Sequence, residues 1–343
     1  MKLAAVITLL IVIFLGLGLY LRLKKPAPSP TVSPSSAPSA PVTNQSPLTI
    51  AAMQQKSYPG SNITIEQTLT PGAIYNQYIV SYQSEGLKQF ALLTVPQGQK
   101  PNGGWPVIIF NHGYIPPAQY STAESYAVMV EPLASAGYIV FKPDYRGNGS
   151  SQGKPEQPYI SPSYVTDSMN ALASIKKYPD ADPNKIGVFG HSMGGNVTLH
   201  ELVVTHDFKA AEIISGVVGN ETDILNWWNQ RFAAQTITGN DLDTYYAIQQ
   251  IIKERGLPKE NPTFWNAIDP TQFITDITTP IQIQVGSADD TVPPNFSSSL
   301  SGKLKSSSKN VDYIEYPGAD HNLTPSLSQV MSQAISFFDK YLK

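Results

Sequence analysis

The stretch Lys185-Ile186-Gly187-Val188-Phe189-Gly190-His191-Ser192-Met193-Gly194-Gly195 constrains this chain more than any other. Ile186 to Phe189 is a short apolar run rich in β-branched residues, and after Gly195 the spacing of Val197, Leu199, His200, Leu202 and Val203 becomes helical. A strand therefore runs into a helix through Gly190-His191-Ser192-Met193-Gly194. Glycine at both flanks lets the backbone double back without a Cβ in the way, and the Ser192 hydroxyl is left exposed at the strand's carboxyl end. The amide of Met193 falls at the helix start, where N–H groups lack intrahelical acceptors and the dipole favours negative charge, so it can hold half of an oxyanion. Gly-x-Ser-x-Gly is a common string, and small residues also serve close packing. The strand-to-helix setting selects Ser192 as a nucleophile.

With 343 residues and 41% hydrophobic content, the chain can bury one large α/β core. A formal net charge of −3 offers no basic stripe, so no nucleic-acid partner is expected. The absence of cysteine removes disulfides, a thiolate nucleophile and cysteine-ligated metals together. No cluster of histidine and carboxylate has ligand spacing, so neither a metal nor an organic cofactor is expected.

Residues 3–21 are apolar without a charge, bounded by Lys2 on one side and by Arg22, Lys24 and Lys25 on the other. That is long enough to cross a bilayer. A cleaved signal peptide is the competitor, with a shorter apolar region as a rule, so residues 1–25 are read as an anchor. The flanking cations by themselves would keep the following chain inside. Residues 26–47 are Pro, Ser, Ala and Thr with almost no large apolar side chain, which makes an extended tether and points to an extracytoplasmic domain, secreted if the leader is cleaved.

The folded domain is expected over 48–343. Runs at 63–69, 75–82 and 90–95 form an antiparallel lead-in around Pro71-Gly72 and Ser84-Glu85-Gly86. Strands at 105–111 and 138–143 flank a helix near 123–136, and a helix at 164–178 leads into the Ser192 strand, followed by a strand at 211–217. This β-α-β alternation means a mostly parallel sheet with helices on both faces. From 219 to 274 the alternation stops and Trp227, Trp228, Phe232, Tyr245, Tyr246, Phe264 and Trp265 accumulate, which reads as a small helical cap insertion. Its clearest helix runs from Asn240 or Asp241 to a stop at Gly256. Those aromatics line a substrate pocket or fill the cap's own core. Strands at 281–285 and 311–316 and an amphipathic helix at 327–342 close the chain.

A serine hydroxyl needs a histidine to take its proton and a carboxylate to orient that histidine. With the nucleophile at an elbow of this kind, the partners follow in the order acid, then histidine. That order excludes His112 and His191 by position, and His200 and His206 sit on or just past the next helix. His321 remains, in a glycine-containing loop after a strand. The acid should follow the preceding strand, where Asp289 and Asp290 compete; Asp320 is set aside because it adjoins His321. The second oxyanion donor is assigned to the amide of Tyr114, with Gly113 permitting the turn. His112 is then structural or a pocket wall, and Arg146 ties loops together.

Five ordered motifs, Asn-His-Gly-Tyr at 111–114, Asp-Tyr-Arg-Gly at 144–147, Gly-His-Ser-Met-Gly-Gly at 190–195, Gly-Ser-Ala-Asp-Asp-Thr-Val-Pro at 286–293 and Gly-Ala-Asp-His at 318–321, resemble the α/β-hydrolases. Within them the chain is similar to the prolyl oligopeptidase catalytic domain and to dienelactone hydrolase-like esterases. The resemblance implies the α/β-hydrolase fold, Asp289 as the acid three residues before the valine of Asp-x-x-Val-Pro, and an oxyanion hole from Tyr114 and Met193. It departs at the N-terminus, where no propeller precedes the domain, so a carboxylesterase is favoured slightly over a peptidase of the prolyl oligopeptidase type. The expected partner is a small ester or short peptide, with the membrane bound through the N-terminal helix; oligomeric state is unknown. An acidic pair in the pocket, from among Glu201, Glu212 and Glu221, would favour the peptidase. A non-catalytic surface binding protein is the alternative of another class, and serine at the elbow disfavours a dehalogenase.

Overall fold

The computed structural model describes residues 46–156, 159, 161–234 and 240–343. The anchor (1–25) and nearly all of the tether (26–47) lie outside the described residues; among the described residues no helix is long and apolar enough to cross a membrane.

The described chain opens with helix α1 (Ile50–Gln55), capped by Thr49, whose hydroxyl accepts the amide of Ala52 at 3.2 Å. Strands β1 (Thr64–Thr68), β2 (Tyr75–Ser84) and β3 (Leu87–Pro96) form an antiparallel meander. Glu85 and Gly86 turn β2 into β3 with φ of 51° and 78°, the left-handed pair that matches strand twist in a two-residue hairpin. The alternating part follows as β4 (Trp105–Asn111), α2 (Ala127–Ser135), β5 (Ile139–Pro143), α3 (Ser163–Ile175), β6 (Ala181–His191), α4 (Met193–Val204) and β7 (Ala210–Ile214). Three helices interrupt it, α5 (Glu221–Ala233), α6 (Asn240–Arg255) and α7 (Pro262–Ile268), and then β8 (Ile281–Gly286), α8 (Pro294–Ser306), β9 (Val311–Tyr316) and α9 (Leu327–Leu342) complete it.

All nine strands make one sheet in the order β1-β2-β3-β5-β4-β6-β7-β8-β9, antiparallel up to the β3–β5 pair and parallel beyond it. Successive side chains of β4 divide between two cores, as a two-residue period requires. Val107 and Ile109 join Val197 of α4 and Leu300 of α8 on one face, while Ile108 and Phe110 join Leu133 of α2 and Phe338 of α9 on the other. The chain thus has the α/β-hydrolase fold with helices on both faces and a helical insertion.

Between β8 and β9, where no helix is expected from the sequence, α8 carries Phe296, Leu300 and Leu304 at four-residue spacing, all buried. Helix α2 begins later than the apolar pattern because Tyr126 takes a left-handed conformation, φ 67° and ψ 15°. Strand β7 stops at Ile214 because Ser215 has φ 47°. Arg146 does tie loops together. Its Nε and Nη2 donate to the two oxygens of buried Asp167 at 2.9 and 2.7 Å, and Nη2 also reaches Glu85 of the hairpin at 2.8 Å.

Behind Ser192, Glu201 of α4 is fully buried, with Oε2 accepting the amide of Asn111 at 2.6 Å. Burial pushes its carboxyl up from 4.5 to about 8. A folded-state pKa raised above the unfolded one gives stability that is complete below about 4.5 and is lost as pH rises through about 8. Glu201→Gln keeps the acceptor and removes the titration, so the decline of wild-type Tm across that window should flatten in the variant. Parallel Tm-against-pH curves for the two proteins would refute this account of Glu201.

Candidate active site

Ser192 joins β6 to α4 with φ 56° and ψ −121°, a region that side chains other than glycine's tolerate only when the surroundings hold them. Its amide donates to the Ile214 carbonyl at 3.0 Å, and its own carbonyl accepts from Gly195 at 2.9 Å and Val217 at 3.0 Å. A Cβ on Gly194 would fall onto the Asn111 carbonyl, so α4 can begin directly against the end of β4 only because glycine stands there.

The loop after β9 carries His321 over this elbow. His321 Nε2 lies 3.0 Å from Ser192 Oγ, and Nδ1 lies 2.8 Å from Asp289 Oδ2. The other Asp289 oxygen accepts the amides of Thr291 and Val292 at 2.9 and 2.8 Å, which aims the carboxylate. A carboxylate only accepts, so Nδ1 carries the imidazole proton and Nε2 is left to accept from the serine. Asp290, open in the sequence, is exposed and contacts the Thr291 hydroxyl at 3.2 Å. Asp320 folds the His321 loop itself by accepting the amides of Asn322 and Thr324 at 3.0 and 2.8 Å.

The remaining histidines are placed elsewhere. His112 is buried between the Tyr120 and Tyr145 rings, each 4.5 Å away, and touches the Gly113 and Asp144 carbonyls; burial pulls its pKa down to about 3. His200 is buried beside the Asn196 carbonyl, and His206 reaches Thr278 at 3.4 Å. Neither approaches Ser192 in hydrogen-bonding terms.

Tyr114 and Met193, the two assigned amide donors, both line a cavity of about 500 Å3 that also exposes Ser192 and His321. Trp227, Trp228 and Arg231 of α5 and Asp243 and Thr244 of α6 line it from the cap, the Arg231 guanidinium 5.4 Å from the Trp227 ring. Lys154, Glu156, Tyr159 and Tyr164, from outside the cap, line it as well. Of the seven cap aromatics, only these two tryptophans line the cavity. Phe232 stacks on Tyr245 at 3.9 Å, and Trp265 is buried with its indole N–H on the Gly256 carbonyl at 2.9 Å. Glu201, Glu212 and Glu221 are all buried outside this cavity, and its acids are Glu156 and Asp243. Sequence gave no signal for these two, because they reach the cavity from segments remote from the elbow.

Gly113, next to the expected donor Tyr114, is closely hemmed in. A Cβ there would lie 3.0 Å from Ser192 Cβ and closer still to the Tyr126 hydroxyl. Gly113→Ala must therefore displace the loop, and kcat should fall about 100-fold, the scale of one lost oxyanion donor, with Tm lowered but the protein still folded. Ester turnover beside thermal melting measures this, and undiminished kcat in a folded variant would refute it.

Comparison with known proteins agrees with this architecture. A family model described as the prolyl oligopeptidase family matches residues 124–343, more than half of the chain and the part that holds Ser192, Asp289 and His321. The uncharacterized peptidase YtmA of Bacillus subtilis (strain 168) is 24% identical over 259 residues, covering 75% of this chain and 90% of that protein. The uncharacterized peptidase YuxL of the same organism is 28% identical over 224 residues, 64% of this chain but only 30% of that relative's length. Among solved structures, an acetyl xylan esterase from Paenibacillus sp. R4 superposes with a TM-score of 0.63 at 19% identity, covering 85% of this chain and 92% of that one. The acylaminoacyl peptidase of Pyrococcus horikoshii gives 0.61 at 22% identity, covering 79% and 42%. With the elbow, the histidine and the carboxylate gathered on one sheet edge, this chain belongs to the prolyl oligopeptidase family.

Proposed function

We propose that this protein hydrolyses small carboxylic esters through an acyl-enzyme on Ser192. The observation that carries the reading is the unbroken hydrogen-bond line from Ser192 Oγ to His321 at 3.0 Å and on to Asp289 at 2.8 Å, opening into one aromatic-walled cavity. His321 takes the serine proton as Ser192 Oγ attacks the acyl carbon, and Asp289 orients and balances the imidazolium. The electron pair of the carbonyl moves onto its oxygen, where the amides of Tyr114 and Met193 receive it. His321 then protonates the leaving alcohol, and water repeats the sequence to release the acid.

The cavity's acids support a second reading. Glu156, which also accepts from the hydroxyls of Ser161 and Ser163, and Asp243 both line it, and carboxylates sharing a cavity with a nucleophile are suited to hold the amine of a short peptide. The same machinery would then cleave an amide. Turnover of p-nitrophenyl acetate and butyrate is compared with free-amine and N-acylated Ala-Pro nitroanilides, each beside Ser192→Ala. Ester turnover alone, lost in Ser192→Ala, supports the esterase; free-amine anilides cleaved at comparable kcat/KM, and impaired by Glu156→Gln, support the peptidase. Turnover that survives Ser192→Ala sinks both.

The composition of residues 1–47 supports a domain held outside the cytoplasm on a membrane anchor. The full chain expressed in cells should sediment with membranes, and protease added to intact, wall-free cells should release an active fragment. Activity confined to the soluble cell fraction would refute this placement.

A further inference from the structure

His191, the residue before the nucleophile, is buried and has both ring nitrogens engaged. Nε2 lies 3.2 Å from the backbone carbonyl of His321, and Nδ1 lies 2.9 Å from the Tyr126 hydroxyl. That hydroxyl in turn lies 2.9 Å from the amide nitrogen of Gly113. A carbonyl only accepts, so Nε2 carries the proton and donates to His321. In a neutral ring Nδ1 is then an acceptor, so the Tyr126 hydroxyl donates to it while accepting the Gly113 N–H. One arrangement of protons satisfies all three contacts. Burial, and then the neighbouring His321, pull the His191 pKa down to about 3, so the ring stays neutral. It therefore places no second positive charge beside the imidazole that becomes a cation during turnover.

The Tyr126 hydroxyl is held in place from below. Tyr126 is left-handed at φ 67°, and the loop before it is clamped by two buried residues at the end of β5. Lys142 donates to the Ser125 carbonyl at 2.6 Å, and Asp144 accepts from the hydroxyls of Tyr120, at 2.9 Å, and Thr122. Backbone strain of this kind survives only where the surroundings over-determine it.

We infer that Tyr126 and His191 are positioning residues that lock the Gly113-Tyr114 loop and the His321 loop into one hydrogen-bonded unit. The inference rests on the acyl-transfer reading of Ser192. In that reaction the oxyanion donors and the base must meet the same carbon atom, and the two loops come from opposite sides of the elbow. A chain joining them fixes their separation, which is a requirement of the transition state and not of substrate binding.

The test uses the wild type with Tyr126→Phe, His191→Phe and His191→Gln, and expresses kcat per Ser192 labelled by a fluorophosphonate. A trifluoromethyl ketone analogue of the ester that is turned over serves as a second probe. Ser192 Oγ bonds to its carbonyl carbon, the serine proton passes to His321, and the carbonyl pair becomes an oxyanion. Tyr126→Phe and His191→Phe should lower kcat per labelled site about 10- to 100-fold, with KM within about twofold. The ketone's Ki should rise by the same factor. His191→Gln, which keeps a donor directed at the His321 carbonyl, should retain more of the rate than His191→Phe. Unchanged kcat per labelled site in Tyr126→Phe and His191→Phe, or a ketone Ki that does not follow kcat, overturns the inference while leaving Ser192 in its role. Failure of the wild type to label at Ser192 overturns that role and this inference with it.

Discussion

The backbone of Gly194 rests on the carbonyl of Asn111, and the geometry of the whole site depends on that contact. It lets helix α4 start at Met193 against the end of β4, which holds Ser192 at a positive φ and turns its hydroxyl out of the sheet edge. Three backbone hydrogen bonds to Ser192, from or to Ile214, Gly195 and Val217, secure the strain. A side chain at position 194 would push helix from strand and disturb the serine's turn, because closely packed interiors do not absorb an extra methyl group without displacement.

Around that contact the protein buries more polar groups than a plain core would. Asn111 is shared among Thr198, Glu201, Tyr145 and Ser168, and Arg146 grips Asp167 with two parallel bonds. Burying such groups is favourable only when they are paired, and a paired network has few alternative arrangements. The loops that leave the sheet edge are thereby fixed from behind. The cavity in front remains lined by side chains of the cap, whose helices are held by their own aromatic contacts, such as the Phe232–Tyr245 stack.

Several features were legible because they are local. Alternation of β-branched runs with helical spacing gave the parallel sheet, Gly-His-Ser-Met-Gly gave the elbow, and a histidine in a loop after a late strand gave His321. Helix α8 was equally local in signal, with Phe296, Leu300 and Leu304 four apart, yet its serines and Gly302 are weaker helix formers that dilute Leu300, Lys303, Leu304 and Lys305. Side-chain chemistry alone does not separate Asp289 from Asp290; the motif resemblance implies Asp289. Adjacent side chains on a turn diverge, and the hydrogen bond to His321 from a strand away distinguishes them.

The roles of Tyr126 and His191 were beyond reach of the sequence for the same reason. Chain order alone excludes His191 as the base and says nothing of its contacts, and nothing in Ser125-Tyr126-Ala127 announces a left-handed tyrosine. The sequence by itself determined the fold class, the nucleophile's turn and the short set of residues able to serve it, because periodicity, glycine placement and side-chain chemistry act over a few residues. Only the tertiary structure decided which of the cap aromatics face the cavity and that Glu201, Glu212 and Glu221 lie outside it, and it gave the contact between His321 and the Asp289 that the motif resemblance implied. Those outcomes depend on where separate strands end and how closely their loops converge, and such distances are set by packing across the sheet, not by neighbours in the chain.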